Sequence, residues 1–359
     1  MKRFLFTLLL TLATLLVIDF GVAGLLGVLE RSGKIGSLVR FFDYGRSVPG
    51  KHTEWLGDLD QPHNPMKAAW IDQMLQDPIT SEPPEGADRS LIIRSYGMSF
   101  SNNILLAALD RDASLTLDLH AGPASPPNSS FYVALADREN REPNDVVVLA
   151  FLSSSLRGMQ SLSNRTWNFE QPIPYTYPIY RAVEGELIVT HPIVTTLDEE
   201  LNPVLAALWK NQLSNLDANY SGYAFEWPTL DYSPFVRLVR RALAIRAQTK
   251  AKSRVETENN SSIRDTLRLI IRDFAEMARE DGQLPVIFLI QSRDPSDLNL
   301  LAMLRTTLEN YDVPYMATED HFPPTDLSGF EGDGHYRPEV DDLFAQKFLE
   351  ILAEHNPTP

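Results

Sequence analysis

The chain has 359 residues and no cysteine, with 43% hydrophobic and 22% charged residues and a net charge of −16. That balance fits a globular protein with a sizeable core and excludes a largely disordered one. The acidity argues against nucleic acid, whose phosphates demand clustered Lys and Arg. The lack of thiols excludes a cysteine nucleophile, a disulfide scaffold and a Cys-ligated metal site.

The N-terminus opens Met1-Lys2-Arg3, followed by apolar residues and Thr from Phe4 to Ile18; after Asp19, apolar residues resume through Leu29. Positive charge followed by an apolar run is the pattern of an export signal. Phe4–Leu29 as a whole exceeds the roughly 20 residues that cross a bilayer, a buried core helix being the alternative. The small-residue stretch Gly21-Val22-Ala23-Gly24 is a poor cleavage site and more apolar residues follow it. Residues 1–29 are therefore expected to be a retained signal-anchor. Asp19 would cost about 2.5–3.5 kcal/mol at a membrane centre, which predicts an intramembrane contact with a partner protein. Lys2 and Arg3 before the span oppose Arg31, Lys34, Arg40 and Arg46 after it, so charge counting leaves the orientation open. The signal-like start predicts a soluble domain outside the cytoplasm, on the periplasmic or extracellular face. Ile35–Phe42 has apolar residues 35, 38, 39 and 42 at helical spacing. It fits a membrane-surface helix and a helix packed on the domain equally well.

Residues 30–87 read as a membrane-proximal linker that ends in the breaker Pro83-Pro84-Glu85-Gly86. Residues 88–355 then alternate strands and helices. Expected strands are Ser90–Tyr96, Leu115–Leu119, Val146–Leu152, Leu284–Ile290 and Val313–Met316. Expected helices are Asn102–Leu109, Ser129–Arg138, Ile263–Glu280, Ser296–Asn310 and Val340–His355. The unbroken apolar run at Val146–Leu152 suits a strand buried on both faces. An insertion at about 163–260 is rich in Pro, Tyr and Trp up to Pro192, then helical over Leu201–Leu216 and Phe235–Lys250. Such alternation predicts a parallel sheet of about five strands covered by helices on both faces, with ligands beyond the strands' carboxyl ends.

Three turns at those ends carry chemistry. In Tyr96-Gly97-Met98-Ser99-Phe100-Ser101, a Ser follows a Gly between a strand and a helix start. Backbone N–H groups and the helix dipole there favour a serine nucleophile and its oxyanion; a serine that merely caps the helix fits the same turn. In His120-Ala121-Gly122-Pro123, Gly122 can bring a backbone N–H to a substrate oxygen, or simply turn the chain. In Gly332-Asp333-Gly334-His335, Asp333 can fix the tautomer of His335, with Glu331 as the alternative acid; an ordinary surface loop reads the same way. His120, His191 and His321 lack metal-ligand spacing, so neither a metal nor another cofactor is expected. Trp167, Tyr175, Tyr177 and Tyr180 could stack on sugar rings, or pack as a Pro-locked loop on the core.

The order of these blocks resembles the SGNH (GDSL-type) hydrolase family over roughly residues 88–160 and 262–355. The stretch Ala121–Asn128 looks like that of its membrane-attached bacterial members. The resemblance implies a three-layer, flavodoxin-like fold. It also implies Ser99 as nucleophile, Gly122 as oxyanion glycine, Asp333 as orienting acid and His335 as base. The chain departs from the family at Gly97-Met98-Ser99, where Gly-Asp-Ser is usual. It departs again at Ala150–Ser155, which lacks the usual Asn; Asn164 is the nearest one, and the second oxyanion donor is expected to be Ser153, Ser154 or Ser155, or a backbone N–H. Asp-x-His spacing is similar to that of SGNH-like proteins that acetylate exopolysaccharides. The expectation is a membrane-anchored serine esterase or O-acyltransferase acting on an acylated carbohydrate or small ester. The rival reading is a non-catalytic scaffold or binding component of an envelope-polysaccharide machine.

Overall fold

The computed structural model describes residues 2–32, 64, 67, 69–81, 91–168, 172–226, 232–258 and 260–355, and only the backbone of Glu30 and of 251–262. The Ile35–Phe42 segment and most of the expected linker lie outside the described residues. The first helix, α1 (Lys2–Arg31), is long and apolar enough to cross a membrane, with a mean hydropathy of 2.3 in its most apolar stretch within Lys2–Leu29. Its residues from Phe4 to Ile18 are largely exposed.

A short helix α2 (Ile71–Gln76) leads into the edge strand β1 (Ile79–Thr80), within the stretch read from sequence as a linker. The chain then alternates β2 (Leu91–Gly97), α3 (Ser99–Arg111), β3 (Leu115–Ala121), α4 (Pro127–Ala136) and β4 (Val146–Leu152). After the insertion come α7 (Asn260–Glu280), β7 (Leu284–Ile290), α8 (Leu300–Asn310), β8 (Tyr315–Ala317) and α9 (Pro338–His355). The six-stranded sheet runs β1-β3-β2-β4-β7-β8. Only β1 is antiparallel; the other five strands are the parallel set the sequence predicts.

All seven residues of β4 are buried, and their alternation splits them between two cores. Val147, Leu149 and Phe151 join α4, α7 and α8, while Val146, Val148, Ala150 and Leu152 join α3 and α9. The sheet is therefore the middle of three layers. Pro285 sits in β7 without breaking it. Leu284 N–H donates to Asp145 on the β4 side, so the donor that Pro285 lacks would face the β8 side, where pairing begins only at Ile287.

The insertion adds a two-stranded hairpin, β5 (Ile179–Val183) and β6 (Glu186–Thr190), and the helices α5 (Pro203–Leu216) and α6 (Pro234–Glu258). The hairpin turn places Glu184 at φ 52° and Gly185 at φ 87°. Two consecutive left-handed residues match the twist of the flanking strands. A third cluster, with Trp70, Trp167, Tyr175, Tyr177 and Trp209, packs this insertion together.

Connections run outward in opposite directions from β2 and β4. Their carboxyl ends therefore border an open crevice at the point where the strand order reverses.

Candidate active site

Gly97 ends β2 because no side chain fits there. A Cβ would lie 2.8 Å from the Ala150 Cβ and would overlap the Ser101 hydroxyl. The chain turns at Met98 into α3, and the two serines of the turn divide the roles weighed from sequence. Ser101 is the capping residue: its hydroxyl donates to the Met98 carbonyl at 2.7 Å and accepts from the Met98 N–H at 3.1 Å. Ser99, in the first turn, is left exposed with its Oγ 2.6 Å from His335 Nε2. The first N–H groups of an α-helix have no intrahelical acceptor, so the start of α3 beside Ser99 suits negative charge.

The histidine arrives on a short loop closed by the antiparallel bridge between Phe330 and Tyr336. Glu331 N–H donates to the His335 carbonyl at 2.7 Å, and Gly334 takes φ 103° so that the tip reverses tightly. That reversal brings Asp333, only two residues away, back onto His335. Its Oδ2 lies 3.0 Å from Nδ1 and its Oδ1 accepts the His335 backbone N–H at 3.1 Å. The backbone bond holds the Asp333 carboxyl below the usual carboxylate range. Asp333, and not Glu331, therefore faces the imidazole. With Nδ1 donating to Asp333, Nε2 is the acceptor for the Ser99 hydroxyl. The Asp333 side chain is 58% exposed and that of His335 29%, so their attraction is screened by water.

Sequence reasoning passed over three neighbours. Phe100 stacks on the His335 ring at 4.5 Å between centroids. Arg293, just beyond β7, donates to the carbonyls of Glu331 (2.9 Å) and Gly332 (3.2 Å) and braces the loop. Asn102, one turn after Ser99, is 8% exposed and lines the cavity, and its Oδ1 is buried with no hydrogen-bond partner. The spacing of three from Ser99 places both on one helix face, which was the available signal.

Ser99, His335 and Asp333 border a cavity of about 670 Å³, within the usual range for small-molecule sites. Its wall includes Gly122, Ser153, Ser154, Arg157 and Arg293. One expectation needs correction here. The Gly122 N–H is already committed to the Gly97 carbonyl at 3.2 Å, because the β2–β3 ladder continues one residue past Ala121; Gly122 shapes the wall and is not a free oxyanion donor. Ser153 does line the cavity, with its Oγ accepting the Ser292 N–H at 2.8 Å. That bond uses a lone pair and leaves the hydroxyl proton available to donate.

Asn164, remote in sequence, folds back so that its amide donates to the Pro123 carbonyl (3.3 Å) and the Tyr175 hydroxyl (3.2 Å), behind the wall and not in it. Trp167 and Tyr177, expected to stack on a ligand, are 4% and 0% exposed. Their polar ends satisfy each other, Trp167 Nε1 donating to the Tyr177 hydroxyl at 2.7 Å, so both belong to the insertion's core. Tyr175 and Tyr180 are buried as well. Of that stretch the cavity wall includes Asn168 and Ile173, and Arg157 lies 5.0 Å over the Trp167 ring.

The arrangement can move a proton from a serine hydroxyl to an imidazole whose far side is held by a carboxylate, beside a helix N-terminus suited to negative charge. No family model, curated protein or solved structure matches the chain.

Proposed function

We propose that the chain is an SGNH-like serine esterase or O-acyltransferase of flavodoxin-like architecture. The carrying observation is the continuous Ser99–His335–Asp333 relay on the carboxyl edge of a parallel sheet, opening on a cavity. The strand order supports the architecture, since the five parallel strands taken in sequence lie in the order 2-1-3-4-5. Ser99 Oγ attacks an ester carbonyl while His335 Nε2 takes its proton. His335 then returns that proton to the departing alkoxide, leaving an acyl-Ser99 intermediate. Water or a sugar hydroxyl, deprotonated by His335, attacks that intermediate and frees the serine.

The developing oxyanion is met by the Ser99 N–H at the start of α3, by the Asn102 amide and by the Ser153 hydroxyl. Asn102 takes the place of the amide that the family carries after its third strand. The rival reading, a non-catalytic binding component, draws its support from the committed Gly122 N–H.

An acylated carbohydrate is the substrate class favoured by the polar character of the cavity wall, which includes Arg157, Asn168, Asn219, Arg293, Asp294 and Asp297. The export-type N-terminus supports a place outside the cytoplasm for such chemistry. The test is product release by the full-length protein in detergent. Acetate should be released from acetylated oligosaccharides and small acetyl esters, with little cleavage of long-chain esters, and Ser99→Ala should release none. Efficient cleavage of long-chain esters without response to acetylated sugars would contradict the substrate class.

A further inference from the structure

A second cavity, of about 680 Å³, opens from the same serine. It shares only Ser99, Asp333 and His335 with the cavity that holds Asn102 and Ser153. It is a groove between α3 and the start of α9. Ser99, Asn103 and Asp110 line it from one face of α3, and Asp341 and Asp342 line it from α9. At its far end Arg111 Nη2 donates to Asp342 Oδ2 at 2.7 Å and ties the two helices together.

The charge of the groove is one-sided. Asp110, Glu331, Asp333, Asp341 and Asp342 line it, and no Lys or Arg does. The first cavity, by contrast, has Arg157 and Arg293 in its wall. Asp342 is held by Arg111 and Asp333 by His335. The carboxylates of Asp110 and Glu331 have no hydrogen-bond or ion-pair partner among the described residues. Both are exposed, so water solvates them at little cost. Asp341 is different. It is 5% exposed, its Oδ1 has no hydrogen-bond partner, and burial with no nearby cation raises its carboxyl to about 7. Pro338, one turn before it, and Asp342, next to it, line the same groove, so Asp341 is directed into the groove from its floor. A buried carboxyl without a partner costs stability unless a ligand supplies the missing partner. A metal ion is not that partner, because no three acidic or histidine side chains among the described residues are grouped to hold one. An organic cation fits better, since it needs only carboxylates spread around a cavity.

Position decides what such a cation belongs to. The oxyanion formed on Ser99 turns to Asn102 and Ser153, and the acyl group extends into their cavity. The departing oxygen must lie within reach of His335, which returns the proton. The groove borders that histidine and leads away from the acyl side. We propose that the groove between α3 and α9 is the subsite for the alcohol part of the ester, and that it takes an alcohol carrying an ammonium group, held over Asp341 with Asp110 and Glu331 beside it. The inference rests on the esterase or acyltransferase reading and narrows its substrate. As the ester C–O bond breaks, the alkoxide takes the proton from His335 and the alcohol leaves with its ammonium group unchanged. In transfer, the same groove admits an ammonium-bearing acceptor whose hydroxyl gives its proton to His335.

An amino sugar and a small amino alcohol share this chemistry, and matched pairs of acetyl esters separate them on the full-length protein in detergent. The first pair is acetylcholine and its carbon isostere, with a tert-butyl in place of the trimethylammonium group. The second is glucosamine and glucose, each acetylated on the primary hydroxyl. In at least one pair the charged ester should exceed its neutral partner in kcat/KM by about fivefold or more, the effect of one ion pair near a surface. Preference in the choline pair alone assigns a small amino alcohol, and preference in the sugar pair alone assigns an amino sugar. Asp341→Asn, and separately Asp110→Asn combined with Glu331→Gln, should bring the ratio down towards one. The ratio is taken within each protein, so a general loss of activity cancels. Neutral esters cleaved as fast as the charged ones by the parent would overturn the ammonium subsite and leave the esterase reading standing. A preference unchanged in both variants would overturn the groove as its source. If none of the esters is cleaved, the esterase reading itself falls and the inference with it.

Discussion

Ser99 and Ser101 are two residues apart on one turn, and sequence alone treats them as interchangeable. What separates them is helix register. Ser101 faces back onto Met98 and closes the cap, whereas Ser99 faces outward to His335. The same register places Asn102 against the cavity, and its value as a donor can be measured. Removing one oxyanion donor costs about 10²–10³ in turnover, so Asn102→Ala should lower acetyl-ester hydrolysis by at least about 10² with little change in KM. A loss below about threefold would remove Asn102 from the mechanism. Asp341, on α9, makes a separate prediction. Burial raises its carboxyl from an ordinary 3.8 to about 7, and its Oδ1 has no partner. The folded state thus holds a proton that the unfolded chain releases. Stability from this group is full below about pH 4 and is lost as pH rises through about 7. Asp341→Asn should therefore raise the melting temperature by roughly 3 °C or more at pH 8 and leave it unchanged at pH 4. An equal shift at both pH values would contradict the burial argument.

The strands and helices from β2 to β4 and from α7 to α9 follow directly from hydrophobic periodicity, because each has a strong local pattern. The insertion is less readable. Its hairpin turns on Glu184-Gly185, where the usual Asn-Gly would have announced a two-residue turn. Its aromatic stretch looks like a binding surface until Trp167 and Tyr177 meet ten residues apart and close over each other. Pairings of that kind depend on tertiary contacts and leave no period to detect. The loop that carries Asp333 and His335 is recognisable from its Asp-Gly-His tip, but the brace behind it is not, since Arg293 comes from the end of β7. An exposed charged hydrogen bond contributes about 1 kcal/mol. Arg293→Ala should slow acylation of Ser99 by about tenfold while the melting temperature holds, and Arg293→Lys should recover part of the loss. An unchanged rate would show that the loop needs no brace.

At the scale of the whole molecule, one sheet assembles the site from remote segments. Ser99 lies at the end of β2 and His335 before α9, separated by 236 residues, and they meet because both segments end on the carboxyl edge beside the reversal of strand order. The order of the blocks along the chain made Ser99, Asp333 and His335 legible. Hydrogen bonding, which the order does not encode, withdrew Gly122 from the donor set. The sixth strand, β1, was hidden because two residues carry no pattern. A domain with this relay is expected to acylate itself at a single serine. The most direct measurement is labelling of the full-length protein with a fluorophosphonate, with the modified residue located by peptide mass spectrometry. Modification should occur at Ser99, disappear in Ser99→Ala and nearly disappear in His335→Ala, with both variants melting close to the parent. Labelling that persists in Ser99→Ala, or a folded parent protein that takes up no label, would contradict a serine nucleophile at this site.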